Sequence, residues 1–274
     1  MRKLLAALII TVSAAVLVAP PVWAEPGVEP AGAVAIPEGP AQAWLLADLD
    51  NGRILASRNP NEPHAPASTI KALLAMVVLD NLRPDNFARA NQSHTEVECS
   101  CVGLKPGQAY TTRQLLEALL MVSGNDAANM LADMLGGQRV AVAAMNRKAA
   151  SLGAPTTRAS SPSGLDGPGW ESITTPHDLA VIYRAALTYP LIAQIFQERS
   201  AEFPGKTITG QNELLTRYPG TIAGKTGFTN LAQHTFVGAA QRNGHRLVVV
   251  QMYGSGDMYG QAIGLLDWGF SQYG

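Results

Sequence analysis

The 274-residue sequence predicts an α/β protein of the α+β kind: one antiparallel sheet made from both chain ends and flanked by helices, with an all-helical subdomain inserted. Three observations predict it. Near the start, two short apolar runs are joined by Asp50-Asn51-Gly52, a strong hairpin turn. The middle repeats apolar residues at helical spacing, with threonine caps before them and glycines after. The end returns to strand-like runs, two of them joined by Asn243-Gly244.

In chain order, residues 1–24 read as an export signal. Arg2 and Lys3 give a charged start, Leu4 to Val18 is apolar, Pro20 and Pro21 break the run, and Val22-Trp23-Ala24 offers small residues for cleavage. The run is short for a membrane span, and no cysteine follows to mark a lipoprotein. Residues 25–42, rich in Pro, Gly and Ala, are expected to be a flexible leader. Ala43 to Ala47 reads as a strand and Arg53 to Ser57 as its hairpin partner. Pro63 to Pro66 is a loop into a helix that begins near Ser68 and includes Ala72 to Leu79.

Leu82 to Gly107 reads as irregular. Thr111 or Thr112 caps a helix with Leu115, Leu116, Leu119 and Leu120 on its buried face. Val122 to Asp126 is a polar break, and a second helix runs from Ala127 to Leu135, stopped by Gly136-Gly137. Val140 to Leu152 is helical up to Gly153, and Thr175-Pro176-His177-Asp178 opens another helix to about Leu187. This places the helical subdomain at about residues 82–200 of a single domain spanning 43–274. Gly220 to Gly227, Thr235 to Gln241 and Arg246 to Tyr253 read as strands, and Met258 to Phe270 as a closing helix.

Composition excludes several functions. A hydrophobic content of 47% can fill a sizeable core, while a net charge of −1 without a basic tract argues against nucleic acid. No segment after the export signal is long and apolar enough to span a membrane. His64, His94, His177, His234 and His245 are scattered, and two cysteines alone make a poor zinc site, so neither metal nor cofactor is expected. A disulfide between Cys99 and Cys101 would be tight across one residue; free thiols or an intermolecular bond are the alternatives. Gly224-Lys225-Thr226 fails as a phosphate loop because the required first glycine falls on Pro219.

The chemistry concentrates in three short motifs. Ser68 and Lys71 are three residues apart, so on a helix they share a face. A serine hydroxyl is a poor nucleophile until a base takes its proton, and a lysine can do so once burial lowers its pKa. The N–H of Ser68 at a helix start also points where an oxyanion forms. Alone this pair is a weak signal, since an exposed serine and a solvated lysine look the same. Ser123-Gly124-Asn125 at a helix break and Lys225-Thr226-Gly227 on a late strand, followed by Phe228-Thr229, complete an ordered triple. That order is the signature of active-site serine penicillin-binding proteins and class A β-lactamases.

Pro66 to Lys71, Gly103 to Gly107, Ser123 to Asn129, Ser163-Gly164-Leu165-Asp166 and Tyr218 to Thr229 together resemble the low-molecular-mass D-alanyl-D-alanine carboxypeptidases. The resemblance covers the chain from about Ala43 onward and implies a β-lactamase/DD-peptidase-like fold. That family trims the terminal D-alanine from peptidoglycan stem peptides and is acylated by β-lactam antibiotics. Carried over by motif, the catalytic residues are Ser68 as nucleophile, Lys71 as general base and Ser123 as proton relay. Asn125 holds the substrate amide, Lys225 supplies charge, and Thr226 binds the terminal carboxylate. Gly227 belongs to the same strand, Phe228 lends an N–H to the oxyanion hole, and Thr229 assists the carboxylate. An exported, periplasmic or extracellular monomer is implied.

Two departures stand out. Related carboxypeptidases often carry an arginine late in the chain that binds the carboxylate, and Gly254 to Gln261 has no basic residue. The usual C-terminal β-domain and amphipathic anchor are also not seen before Gly274, which leads to the expectation of a released enzyme or a trimmed fragment. A class A β-lactamase is the rival reading. It needs a loop glutamate to activate the deacylating water, and Ser151 to Ser163 contains no acid. A non-catalytic wall-binding module of the same fold is the third.

Overall fold

The computed structural model of the chain describes residues 35–273. The expected export signal, and the leader up to residue 34, lie outside them.

The first hairpin joins β1 (Ala43–Asp48) to β2 (Ile54–Arg58). Asp48 shapes the turn, its Oδ1 accepting the N–H of Asp50 at 2.7 Å and of Asn51 at 3.2 Å. A one-turn 3-10 helix, Ala67–Ile70, runs into α1 (Lys71–Asn81). A ribbon and a short helix follow, β3 (Phe87–Arg89), α2 (Gln92–Thr95) and β4 (Ala109–Thr111). Next come α3 (Thr112–Met121), α4 (Asn125–Met134), α5 (Gln138–Leu152), α6 (Pro176–Ala186) and α7 (Pro190–Ile195). A second ribbon, β5 (Ser200–Phe203) and β6 (Lys206–Thr209), and α8 (Leu214–Arg217) lead to β7 (Thr221–Thr229), β8 (Gln233–Arg242), β9 (His245–Gly254) and α9 (Met258–Ser271).

The main sheet has the order β2-β1-β9-β8-β7 and is antiparallel throughout, so both chain ends build it as expected. Alternation along each strand separates two cores. Leu45 and Ala47 of β1 and Val248 and Val250 of β9 face one core with α1 and α6. Trp44, Leu46, Leu247 and Val249 face the other with α9. Asn243 and Gly244 take φ values of 50° and 83°, the left-handed pair that a two-residue hairpin between twisted strands needs.

The insert holds the helices where the caps place them. Thr111 and Gln114 form a reciprocal capping box at the start of α3, with Gln114 N–H donating to Thr111 Oγ1 at 3.2 Å and Thr111 N–H to Gln114 Oε1 at 2.9 Å. Gly153 ends α5 at φ 82°. Beside its helices the insert carries the β3–β4 and β5–β6 ribbons. Their strands have only three or four residues, too short a run for an alternation to be read.

The end of the expected leader is not free. Ile36 packs on the α9 core, and Ala41 is buried there with its N–H donating to Gln261 Oε1 at 3.1 Å. Two apolar side chains and one buried hydrogen bond suffice to dock a stretch whose composition reads as flexible.

Candidate active site

Helix α1 is buried on every side from Lys71 to Val78, wedged against α3, α5 and α6. A lysine enters such a helix only if its head finds partners. Lys71 Nζ donates to Ser68 Oγ at 2.6 Å and to Asn125 Oδ1 at 2.6 Å, and lies 3.4 Å from Ser123 Oγ. Lys225 Nζ reaches Ser123 Oγ from the other side at 2.9 Å and its neighbour's carbonyl, Thr226 O, at 2.7 Å. Five residues from three distant stretches thus form one hydrogen-bonded chain.

Both ammonium groups are costly to bury. Burial holds the Lys71 amine well below its ordinary range, the Lys225 charge pushes it down further, and Asp126 pulls it partly back. Burial lowers Lys225 to about 7. A lysine that is readily neutral and 2.6 Å from a serine hydroxyl is equipped to take its proton.

The backbone around the motifs is specialised. Ala67 and Ser123 adopt φ values of 48° and 61°, left-handed conformations that cost a non-glycine residue on the order of 1–3 kcal/mol. The surroundings hold them there. Thr69 Oγ1 donates to Pro66 O at 2.7 Å, Thr235 Oγ1 to the same carbonyl at 2.9 Å, and Tyr183 OH to Thr69 O at 2.9 Å. Ser68 itself sits inside the 3-10 turn that leads directly into α1, where the sequence suggests a helix start.

Asp126, which the motifs did not single out, anchors the Ser123 corner. Its carboxylate accepts the N–H groups of Val102 at 3.0 Å, Gly103 at 2.8 Å, Leu104 at 2.9 Å and Ala127 at 2.9 Å. An acid in the first turn of α4 was the available signal. Cys99 and Cys101 are joined as a disulfide, which resolves the alternatives left by the sequence. The turn it closes holds Asn125. Glu98 O accepts from Asn125 Nδ2 at 2.7 Å, and Ser100 O from Asn125 N–H at 2.6 Å.

Strand β7 is a sheet edge, and it runs beside Ser68. A Cβ on Gly227 would lie 2.5 Å from Thr235 Oγ1 and 2.8 Å from Ser68 N, so only glycine lets the strand approach. Gly227→Ala is expected to push β7 off the serine turn. A displacement of about 1 Å lowers reactivity roughly 100-fold. Penicillin acylation rates and far-ultraviolet circular dichroism on the same sample check this; an unchanged rate would show that the close approach is not needed.

A groove of about 410 Å³ opens over these groups, lined among others by Ser68, Ser123, Asn125, Thr226, Phe228 and His234. Gly227 and Thr229 line it too, so each motif residue named from the sequence either borders the groove or, like Lys71 and Lys225, is buried behind it. The Thr229 hydroxyl is already engaged, donating to Asp166 Oδ2 at 2.6 Å and accepting from Ala232 N–H at 3.0 Å.

An antiparallel sheet with a helical insert, and a Ser-x-x-Lys, Ser-x-Asn and Lys-Thr-Gly gathered at one groove, define the class of penicillin-binding serine peptidases. The D-alanyl-D-alanine carboxypeptidase family model matches residues 31–256, and the chain belongs to that family. It is 58% identical to D-alanyl-D-alanine carboxypeptidase DacB2 of Mycobacterium tuberculosis over 91% of this chain and 89% of that one. With DacF of Bacillus subtilis it shares 28% identity over 85% of its length, spanning only 63% of that longer relative. A crystal structure of D-alanyl-D-alanine carboxypeptidase from M. tuberculosis H37Rv superposes with a TM-score of 0.86 at 57% identity, covering 89% of this chain and 96% of that one. The Streptomyces K15 DD-transpeptidase superposes at 0.82 with 26% identity, over 87% of this chain and 100% of that one.

Proposed function

We propose that the chain is a serine-type D-Ala-D-Ala carboxypeptidase that removes the terminal D-alanine from peptidoglycan stem peptides through an acyl-enzyme on Ser68. The observation that carries this reading is the hydrogen-bonded chain from Ser68 through Lys71 and Ser123 to Lys225 at the floor of the groove.

Lys71 Nζ takes the proton as Ser68 Oγ bonds to the carbonyl carbon of the penultimate D-alanine. The N–H groups of Ser68 and Phe228 receive the oxyanion. The C–N bond then breaks, and Ser123 passes a proton from the lysine pair to the leaving amine of the last D-alanine. Water attacks the ester and Lys71 takes its proton; the acyl C–O bond to Ser68 breaks, the proton passes to Ser68 Oγ, and the shortened peptide leaves. Asn125 orients the substrate amide, and the open edge of β7 lets the peptide lie as an added strand. A β-lactam enters the same way, but its leaving nitrogen stays tethered to the acyl group and slows deacylation.

The chain acts after export, in the periplasm or outside the cell. Residues 1–24 are the signal peptide, 25–42 the leader and 43–274 a monomeric catalytic domain with its helical subdomain at about 82–200. Among the described residues no helix is long and apolar enough to cross a membrane.

An acyl-D-Ala-D-Ala tripeptide and benzylpenicillin distinguish the readings. D-alanine release with a long-lived penicillin adduct is the expected result. Rapid penicillin hydrolysis without D-alanine release would instead indicate a β-lactamase, and neither activity would leave a binding module.

A further inference from the structure

An enzyme that cuts only the last peptide bond must recognise a carboxylate one residue beyond the attacked carbonyl. Recognition by a charged donor is stronger than by a neutral one. The site's two ammonium groups are turned inward: Lys71 is engaged by Ser68 and Asn125, and Lys225 by Ser123 and the carbonyl of Thr226. The Thr229 hydroxyl already donates its hydrogen bond to Asp166. Arg217, at the end of α8, is paired with Glu213 and Asp257 and does not line the groove. Among the described residues lining the groove, one has a basic side chain, His234.

Its position on the sheet fits. Phe228 and His234 are direct cross-strand partners of β7 and β8, so their side chains share a face, and Thr226 shares it at two residues' spacing. His234 is therefore the diagonal neighbour of Thr226, whose own partner is Phe236. Such diagonal positions are about 7–8 Å apart at their backbones, room for a carboxylate between a hydroxyl and a ring nitrogen. The Phe228 ring lies against the imidazole with centroids 4.9 Å apart, which fixes where the ring stands without using its nitrogens. On the other side His234 pairs with Gly254, the first residue of the stretch that lacks any basic side chain.

We propose that His234, together with the Thr226 hydroxyl, receives the C-terminal carboxylate of the substrate and so sets the preference for cutting at the chain end. This rests on the carboxypeptidase reading of the site.

The test compares wild type, His234→Ala and His234→Arg. One readout is KM and kcat on an acyl-D-Ala-D-Ala peptide. The other is how well that peptide, and the same peptide ending in a carboxamide, compete with penicillin acylation. His234→Ala is expected to raise KM about tenfold with a smaller change in kcat, the size of one charge-assisted hydrogen bond. It should weaken competition by the acid and not by the carboxamide, and His234→Arg should restore both values to within about threefold of wild type. Equal weakening for acid and carboxamide, or no change in either, would overturn the proposal while leaving the carboxypeptidase reading intact. A wild type that releases no D-alanine and forms no penicillin adduct would overturn that reading, and this inference with it.

Discussion

Ser68→Ala is expected to lower D-alanine release by about a million-fold, the loss seen when a nucleophile acting as one unit with its base is removed. The variant should keep its fold. Ser68 is half-buried, its hydroxyl hydrogen-bonds to Lys71 alone among the described residues, and alanine fits a turn whose shape is set by Thr69, Thr235 and Tyr183. Steady-state D-alanine release and a melting curve on the same preparation separate chemistry from folding. Activity within tenfold of wild type would place the nucleophile elsewhere.

Lys71→Met is expected to slow acylation by about 10⁴-fold, the upper end for losing a general base, because the same amine also links Ser68 to Asn125. Its effect on stability should run the other way with pH. Burial lowers the folded-state pKa of both lysines below the ordinary 10.5, to about 7 for Lys225. Between those values the unfolded chain binds more protons than the folded one, so wild-type stability rises with pH through that window and falls as pH drops toward 7. Methionine fills a similar volume without a charge and flattens this slope. Wild-type acylation should also climb with pH below the ordinary lysine range, as Lys71 becomes neutral. Stopped-flow acylation and thermal melts from pH 6 to 10 read both effects. A variant that acylates at the wild-type rate, or a wild type whose stability falls as pH rises from 7 to 10, would contradict the assignment.

Much of this molecule is legible because local chemistry and tertiary structure agree. Asn243-Gly244 can hardly be anything but a tight hairpin, and Thr111 with Gln114 states where α3 begins. The three motifs name the side chains that meet at the groove, since each needs a residue type that is rare at a buried position. What is not legible depends on distant partners. Helix α1 hides its period because all its faces are buried, and buried residues carry no pattern. The left-handed Ala67 is imposed from outside, by Gly164, where a Cβ would lie 2.0 Å from Ala67 O, and by Thr235. Asp126 reads as an ordinary helix-start acid until four N–H groups from two segments are seen to converge on it. The same holds for His234, which is one of five scattered histidines in the sequence and becomes distinctive only through its cross-strand partner.

The acyl-enzyme on Ser68 is seen most directly in the intact mass of the protein after incubation with benzylpenicillin, followed by peptide mapping. An acyl-enzyme on Ser68 predicts one adduct per chain, stable over many minutes and carried by the peptide that contains that residue. An adduct on another peptide, or penicillin consumed with no adduct retained, would contradict it.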